Sequence, residues 1–290
     1  GNTIAAAEHT LALLYGFARR IAPADASMRR GEWKRSQFTG IELRGRTLGI
    51  VGLGKIGQAI AVRAKAMEMT VVGSDPFVTA EQAANFGVEL VAFDDLVTRS
   101  DVITVHVPLP RQTRDLISAA TIARMKPGVI LLNVARGGVL NEADVAQALR
   151  DGRIGGAAID VFEKEPLIGP PLLDAPNILL TPHLGASTEE AQVAVAAEVA
   201  EQILEVLDGR PARYAVNAPL LTPETAQAIA PYLPLAETLG RFVAQLARSA
   251  PRTLTIEIAG EPAAHDASSL VAATLRGLLE RETTERVNLV

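Results

Sequence analysis

Three polar side chains in the sequence have the chemistry of a proton-transfer site, and each one follows an apolar run. Arg136 stands in NVARGG, Glu165 in DVFEKEP and His183 in PHLGAST. Histidine passes protons at neutral pH, a carboxylate partner can hold its ring, and a guanidinium can clamp a substrate carboxylate with two hydrogen bonds. Taken singly, each residue has a simpler interpretation. Arg136 could form a surface ion pair, Glu165 could be a solvated loop residue, and His183 could be hydrogen-bonded to backbone at the start of a helix.

A glycine-rich segment, GLGKIG, could bind the pyrophosphate of a dinucleotide. Gly52 would permit a tight turn, Gly54 would let the backbone approach the phosphates, and Gly57 would let helix and strand pack closely. Asp75 ends the next apolar run, close to the ~20 residues downstream at which an acid binds the adenosine ribose hydroxyls. An acid at that position favours NAD over NADP. The alternative is a turn without a ligand, followed by a solvated acid.

Seven short apolar runs between Thr47 and Pro182 alternate with helical patterns. They are TLGIV, TVVGS, VELV, DVITVHV, GVILLNV, IGGAAIDV and NILLTP. Strands that are apolar along their whole length are typical of a parallel sheet covered by helices on both faces. The sequence therefore predicts a doubly wound α/β domain of the Rossmann type. Its candidate polar residues would lie at the carboxyl edge of the sheet, where such folds bind ligands.

Helix signals flank and separate these strands. One long amphipathic helix is predicted for Asn2–Arg30, and a shorter one over NEADVAQALRDG. Ser187, with Glu190 three residues later, has the form of a capping box that starts a helix running to about Asp208.

The composition of the sequence changes after that helix, which predicts a second, smaller α+β unit. The segment VNAPLLTPETAQAIAPYLPLAE is rich in proline and suits a linker. The alternation in TLTIEIAG then predicts a half-buried strand, a helix follows over about Asp266–Glu282, and the final RVNLV looks like the beginning of another strand.

Because the sequence contains no cysteine, its few histidines are the main candidates for chemistry. With no cysteine in 290 residues, disulfide scaffolds, thiolate zinc sites and cysteine nucleophiles are all excluded, and we predict no metal site. Besides His183, the sequence contains three histidines. His106 in VHVPL is interpreted as a structural or adenine-pocket residue, whereas His9 and His265 are expected on helix surfaces.

Charge and hydrophobicity exclude several kinds of partner. The 28 basic and 33 acidic residues give a net charge of -5, which offers no basic field for a nucleic acid backbone. No apolar run reaches the ~18 residues that cross a bilayer, so we expect a soluble protein without a membrane partner. The first residues do not form a signal peptide, because no basic region precedes an apolar one. They look like the inside of a helix cut from a longer chain.

In their order, GLGKIG, Asp75, VHVPL, NVARGG, DVFEKEP and PHLGAST resemble the D-isomer-specific 2-hydroxyacid dehydrogenase family. The resemblance implies that Arg136 holds the substrate carboxylate and carbonyl oxygen, that His183 is the general acid or base, and that Glu165 pairs with it. It also implies a substrate contact at Asn2. The NAD contacts that it implies are Gly52, Gly54, Lys55, Ile56, Gly57, Asp75, Val107, Pro108, Val134, Ala135, Arg136, Asp160, His183, Gly185 and Ala186.

Within the family, the resemblance is to the branch that oxidises 3-phospho-D-glycerate in the cytoplasm, the first step of phosphorylated L-serine biosynthesis. The implied partners are this small substrate and further copies of the chain, in a homodimer or homotetramer. One alternative is a glyoxylate or hydroxypyruvate reductase of the same family, although such short enzymes end soon after the helix that closes at Asp208. The other alternative is a corepressor-like module that senses NAD.

The resemblance also implies a division into domains. Residues 1–186 would form the NAD-binding domain, 187–215 the C-terminal part of the substrate domain, and 216–290 part of an intervening domain. Family members carry most of the substrate domain ahead of the first helix, so the chain is expected to be a fragment truncated at both ends.

Overall fold

The computed structural model describes residues 1–208, 223–247 and 253–280. The chain divides into two compact units, Gly1–Ala196 and Ala197–Val290. Two apolar cores stabilise the first unit, and a smaller one lies in the second. Within the described ranges, none of the helices combines the length and the apolar character needed to cross a membrane.

A sheet of seven strands forms the centre of the first unit. The strands are β1 (Thr47–Val51), β2 (Thr70–Ser74), β3 (Glu89–Leu90), β4 (Val102–Val105), β5 (Ile130–Asn133), β6 (Gly156–Ile159) and β7 (Ile178–Leu180). They are all parallel and lie in the order β3-β2-β1-β4-β5-β6-β7. The seven predicted strands and the doubly wound class are confirmed. The strand order reverses between β1 and β4, which opens a ligand crevice at the carboxyl edge in this class.

Helices cover both faces of the sheet. In the first unit they are α1 (Thr3–Ala18), α2 (Ile21–Arg29), α3 (Lys55–Ala66), α4 (Ala80–Ala84), α5 (Phe93–Arg99), α6 (Ala119–Ile122) and α7 (Glu142–Arg150). A further helix, α8 (Glu189–Leu207), begins in the first unit and ends in the second. Successive side chains of a strand point to opposite faces. Accordingly, Ile130 and Leu132 join the core that contains residues of α1 and α3, whereas Leu131 joins the core of α5 and α7. This two-sided burial is why the central strands β4, β5 and β6 are apolar along most of their length.

The single helix predicted for Asn2–Arg30 is wrong, since α1 and α2 are separated at Arg19 and Arg20. Arg20 adopts the left-handed conformation, with a φ of 52°. Pro23 explains the break, because in a continuous helix its ring would clash with the carbonyl of Arg19. In the first turn of a new helix, Pro23 is tolerated because no amide proton is needed there.

The helix predicted over NEADVAQALRDG is present as α7. The capping box predicted for α8 from Ser187 and Glu190 is wrong, because the cap is Thr188 and the residue three positions later is Ala191, which cannot return a hydrogen bond. Thr188, not Ser187, caps the helix, since its Oγ1 accepts a hydrogen bond from Ala191 N at 3.1 Å. Ser187 belongs to the preceding turn, where its N–H donates to Leu184 O at 2.8 Å. Two adjacent hydroxyl residues compete for the cap, and the shape of that preceding turn decides between them.

The second unit contains α9 (Pro223–Ile229), α10 (Leu233–Leu246) and α11 (Ser268–Leu279). The predicted linker is therefore helical from Pro223 onward, which the sequence reading missed because proline is well tolerated in a first helical turn. Gly240 and Gly277 allow α10 and α11 to pack closely, since a Cβ on either glycine would overlap the backbone of the other helix.

The strand predicted over TLTIEIAG is absent, because residues 253–259 have irregular backbone. The alternation behind the prediction is nevertheless visible in burial: Leu254, Ile256 and Ile258 are half-buried, while Thr255 and Glu257 are exposed. A strand needs a partner for its backbone hydrogen bonds, and no described segment supplies one. The other predicted strand, RVNLV, and the start of the linker lie outside the described residues.

Candidate active site

The carboxyl edge of the sheet brings Glu165 and His183 into contact, because they follow the neighbouring strands β6 and β7. His183 Nδ1 lies 2.8 Å from Glu165 Oε2, and Glu165 Oε1 accepts a hydrogen bond from Phe162 N at 3.0 Å. The hydrogen bond with His183 lowers the pKa of Glu165 below its ordinary value, so this carboxylate is ionised at neutral pH. An ionised carboxylate can only accept, so Nδ1 carries the proton and Nε2 is the basic nitrogen.

A buried carboxylate, that of Asp160, fixes the turn that carries His183. Asp160 Oδ1 accepts from Leu184 N at 2.7 Å and Oδ2 accepts from Gly185 N at 2.8 Å. The carbonyl of Asp160 accepts from His183 N at 2.9 Å, and His183 adopts a left-handed φ of 56°. Burial by itself raises the pKa of Asp160, but hydrogen bonds from Thr181, Leu184 and Gly185 outweigh it and lower the pKa.

The turn that carries Arg136 is held by Asn133, a buried residue at the end of β5. Asn133 Nδ2 donates to Arg136 O at 2.9 Å, and its Oδ1 accepts from Ala135 N at 3.0 Å. A Cβ on Gly137 would overlap Phe162 O, so the missing side chain lets this turn lie against the loop after β6. Arg136 itself is exposed, and one of its N–H groups donates to Ala135 O, which leaves the others for a ligand.

The glycine turn after β1 uses its three glycines differently. A Cβ on Gly52, whose φ is 94°, would lie 2.5 Å from His106 O, and a Cβ on Gly57 would overlap Gly52 O. A Cβ on Gly54 would meet nothing within 4 Å, and Gly54 immediately precedes Lys55, the first residue of α3. The backbone requires Gly52 and Gly57, whereas the open space at Gly54, beside a helix N-terminus, fits a pyrophosphate.

Asp75 lies beside this glycine turn, just after β2. Its Oδ2 accepts a hydrogen bond from Leu53 N, within the turn, and its Oδ1 accepts one from Phe77 N, both at 2.8 Å. The two backbone donors orient the carboxylate toward the turn. A carboxylate in this position has remaining lone pairs for ribose hydroxyls and repels a phosphate.

A cavity of about 230 Å³ gathers most of the other predicted contacts. Its lining consists of Asn2, Ala6, Ile56, His106, Val107, Pro108, Val134, Ala135, Arg136, His183, Gly185 and Ala186. Asp160 is fully buried and is not part of this lining. Glu165 lines a second cavity, of about 610 Å³ and largely apolar, to which His183 also contributes. His183 therefore faces the predicted cofactor and substrate residues on one side and its carboxylate partner on the other.

His106 is unsuited to proton transfer. Burial lowers the pKa of His106 to about 3, so the ring is neutral at physiological pH. Its Nε2 lies 2.8 Å from Thr104 Oγ1, while its Nδ1 is buried and has no hydrogen-bond partner in the described part of the chain. The interpretation of His106 as a structural or adenine-pocket residue stays a prediction.

The surface position predicted for His9 is wrong. Only 19% of the His9 side chain is exposed, and its Nε2 lies 3.2 Å from both Asp160 Oδ1 and Thr181 Oγ1. Sequence reasoning missed His9 and Thr181, whose contact joins distant parts of the chain, and Asn133, whose side chain bonds the backbone two and three residues later. His265 is half-buried in the connection before α11 rather than on a helix surface.

Comparison with known proteins identifies the family to which the chain is similar. Residues 11–185 match the family model described as D-isomer specific 2-hydroxyacid dehydrogenase, NAD binding domain, and residues 228–290 match the D-3-phosphoglycerate dehydrogenase intervening domain. The chain is 50% identical, over its whole length, to a D-3-phosphoglycerate dehydrogenase of Synechocystis sp. and 44% identical to one of Archaeoglobus fulgidus. These alignments cover 52% and 55% of the two relatives, so the chain spans about half the length of the curated relatives it matches.

Among solved structures, the TT0316 protein from Thermus thermophilus is similar to the chain with a TM-score of 0.68 and 37% sequence identity. The match covers 74% of this chain and 68% of that protein.

Proposed function

The chain belongs to the D-isomer specific 2-hydroxyacid dehydrogenase family, and we propose that it catalyses the NAD-dependent oxidation of 3-phospho-D-glycerate to 3-phosphohydroxypyruvate, the first step of phosphorylated L-serine biosynthesis. The observation that carries the proposal is the 2.8 Å contact between His183 and Glu165 at the carboxyl edge of the sheet. Arg136 lines the same cavity as His183, so a 2-hydroxyacid could contact both side chains there.

In this proposal, His183 is the general base. Glu165 keeps the proton on Nδ1, which leaves Nε2 to accept the proton of the substrate 2-hydroxyl and to return it in the reverse reaction. Glu165 also stabilises the imidazolium that results, because it remains ionised. Bound NAD supplies the hydride acceptor.

Arg136 has two tasks in the proposed reaction. Its exposed guanidinium can hold the substrate carboxylate with paired hydrogen bonds, and it can stabilise negative charge on the substrate oxygen as the carbonyl forms. The Asn133 side chain holds the turn in place through hydrogen bonds to its backbone, so the Arg136 guanidinium is not needed for this.

The residues of the first unit fit NAD. The amides at the start of α3 and the open space at Gly54 suit the pyrophosphate, and Asp75 suits the adenosine ribose. Val107 and Pro108 are proposed beside the adenine, and Val134, Ala135, Gly185 and Ala186 around the nicotinamide end, with Asp160 accepting from its amide.

NAD is proposed to bind more tightly than NADP, because the Asp75 carboxylate would repel a 2′-phosphate. Fluorescence titration of the chain with NADH and NADPH measures both affinities, with Asp75→Ser as the variant in which the difference should shrink. Equal affinities in the parent chain would contradict the assignment of Asp75.

The choice of substrate within the family rests on the second unit. Residues 228–290 match an intervening domain whose description names D-3-phosphoglycerate dehydrogenase, and the two relatives compared above carry that name. We therefore propose the same substrate here. The division into an NAD-binding domain (1–186), part of a substrate domain (187–215) and part of an intervening domain (216–290) belongs to this proposal.

Steady-state assays of the complete protein test the proposal. With NADH as reductant, kcat/KM should be larger for 3-phosphohydroxypyruvate than for glyoxylate or hydroxypyruvate, and His183→Ala serves as the inactive control. A preference for glyoxylate would favour the reductase alternative. NADH binding without turnover of any of the three would contradict the enzymatic role.

The protein is also proposed to act as a homodimer or homotetramer. Apolar residues of α1 are buried within their own unit and do not require a partner, but Trp33 is 79% exposed in the loop after α2. Large exposed apolar side chains are common at protein interfaces. A monomeric mass in light scattering at micromolar protein would contradict this part of the proposal.

A further inference from the structure

His9 reaches the catalytic edge of the sheet because α1 runs antiparallel to β6. Phe17 packs directly against Gly156 at the start of β6, where a Cβ would overlap its ring, and His9 meets Asp160 just beyond the end of the strand. The eight residue steps from His9 to Phe17 span about 12 Å of helix. The four from Gly156 to Asp160 span about 13 Å of strand. The two lengths match, so the packing at Gly156 sets the position of His9.

The hydrogen bonds around His9 decide which ring nitrogen carries its proton. Thr181 Oγ1 donates its only proton to Asp160 Oδ1 at 2.6 Å, so toward other groups that hydroxyl can only accept. The carboxylate of Asp160 also only accepts, since hydrogen bonds lower its pKa. His9 Nε2 lies 3.2 Å from both oxygens. Facing two acceptors, Nε2 must be the protonated nitrogen.

We propose that His9 is a positioning residue for the catalytic histidine, a role that rests on the proposed dehydrogenase function. Its Nε2–H is shared between Asp160 and Thr181, and so ties α1 to the turn that holds His183. Asp160 in turn bonds the backbone N–H groups of His183, Leu184 and Gly185. Without the donor at His9, the buried carboxylate loses a partner, and the turn is less firmly held in its left-handed conformation.

The same contacts leave one acceptor position open on Asp160. Its Oδ1 receives Thr181, Leu184 N and His9, which exceeds the two lone-pair positions of a carboxylate oxygen. Its Oδ2 receives only Gly185 N in the described structure. Thr181 and Leu184 N, at 2.6 and 2.7 Å, are the two short donors to Oδ1, and His9 at 3.2 Å is a third, longer one.

Two substitutions of His9 distinguish a positioning role from a role confined to the stability of the fold. His9→Leu removes the donor, and in the complete protein it should lower kcat by about tenfold to a hundredfold, since small misplacements of catalytic groups have effects of this size. His9→Gln can place an amide N–H near the position of Nε2 and should recover most of kcat. His265→Leu makes the same change in the second unit and should leave kcat unaltered.

These assays are run well below the melting temperature, which is measured for every variant. A role confined to stability would lower the melting temperature of His9→Leu but not kcat under those conditions, and would overturn the proposal. A His9→Gln variant as slow as His9→Leu would also overturn it. If the parent protein turns over no 2-hydroxyacid, the proposed dehydrogenase function is contradicted. The position of the proton on His9 is then still tested by nitrogen NMR.

Nitrogen NMR of the 290-residue chain tests the proton position without turnover and without a variant that must fold. Two-bond correlation spectra of ¹⁵N-histidine at neutral pH distinguish the ring tautomers, and the His9→Gln spectrum identifies the His9 signals. A protonated Nε2 is expected. A neutral ring with its proton on Nδ1 would contradict the proposal, whatever the assays show.

Discussion

The glycine turn after β1 and the histidine turn after β7 lie at the same edge of one sheet but obtain their geometry in different ways. In the glycine turn, the left-handed residue is Gly52, and the close approaches are those of Gly52 to His106 O and of Gly57 to Gly52 O, so the geometry depends on residues that lack side chains. In the histidine turn, the left-handed residue is His183, which is not favoured there. Buried hydrogen bonds to Asp160 hold it in place, and His9, 151 residues before Asp160, contributes one of them.

The comparison indicates a division of labour. A turn built from glycine leaves open space, which suits a phosphate, whereas a turn held by a buried polar network fixes a side chain, which suits proton transfer. Changes in one turn should therefore affect binding, and changes in the other should affect chemistry.

The largest expected effect is that of His183→Ala in the complete protein. Loss of the general base should lower turnover by about 10²–10⁴-fold, while NADH affinity stays nearly unchanged because the glycine turn is intact. Stopped-flow turnover and NADH fluorescence measure the two quantities on the same samples. A parallel loss of affinity and turnover would show that the two turns are not separable.

Two glycine substitutions test the glycine turn in the same way. Gly57→Ala should destabilise the protein by about 1–3 kcal/mol, because its Cβ would overlap the carbonyl of Gly52. Gly54→Ala, the matched control, has space for its Cβ and should leave the free energy of unfolding unchanged. It should instead weaken NADH binding by about tenfold, since the methyl group takes the space assigned to the pyrophosphate.

Urea unfolding and NADH titration of both glycine variants test these expectations. Equal destabilisation by the two substitutions, or unchanged NADH affinity in Gly54→Ala, would contradict the assignment of Gly54 to the phosphates.

An effect of similar size, but dependent on pH, is expected for Asp160→Asn. The pKa of Asp160 is lowered in the folded protein, so its ionised form adds stability above the unfolded value of about 3.9, and this is lost as pH falls through the folded pKa. The variant should be less stable by about 1–3 kcal/mol near neutral pH, with the difference shrinking in acid.

Urea unfolding of this variant at several pH values measures the difference, with the exposed Asp174→Asn as control. A stability difference that grows as the pH falls would mean that the carboxylate of Asp160 is not stabilised in the folded state.

The parts of the fold that the sequence predicts are those encoded locally. Seven apolar runs predict seven strands because the central strands are buried on both faces, and the glycine turn is recognised because its three glycines stand close together in GLGKIG. The strand positions predict Glu165 and His183 at one edge of the sheet, and the family resemblance implies that they pair. The structure places them in contact, while their catalytic roles remain predictions.

The features that sequence reasoning missed depend on distant partners or on fine choices between neighbours. The sequence pattern around His9 indicates a surface histidine. Its contact with Asp160 follows only from the packing of α1 along β6, which depends on the contact of Phe17 with Gly156. The break before α2 had a visible signal in Pro23. The strand expected over residues 253–259 has the right alternation, but pairing with another segment, not alternation, makes a strand.

The pH dependence of Glu165→Gln tests most directly the claim that a carboxylate and a histidine carry the proton transfer. In the complete protein, the imidazolium of His183 would lose the anion that stabilises it, while the neutral glutamine keeps much of the shape. The neutral base would then persist to lower pH, so the acid limb of 2-hydroxyacid oxidation should move to lower pH. Profiles of kcat/KM in both directions, identical for the variant and the parent, would contradict the pairing of Glu165 with His183.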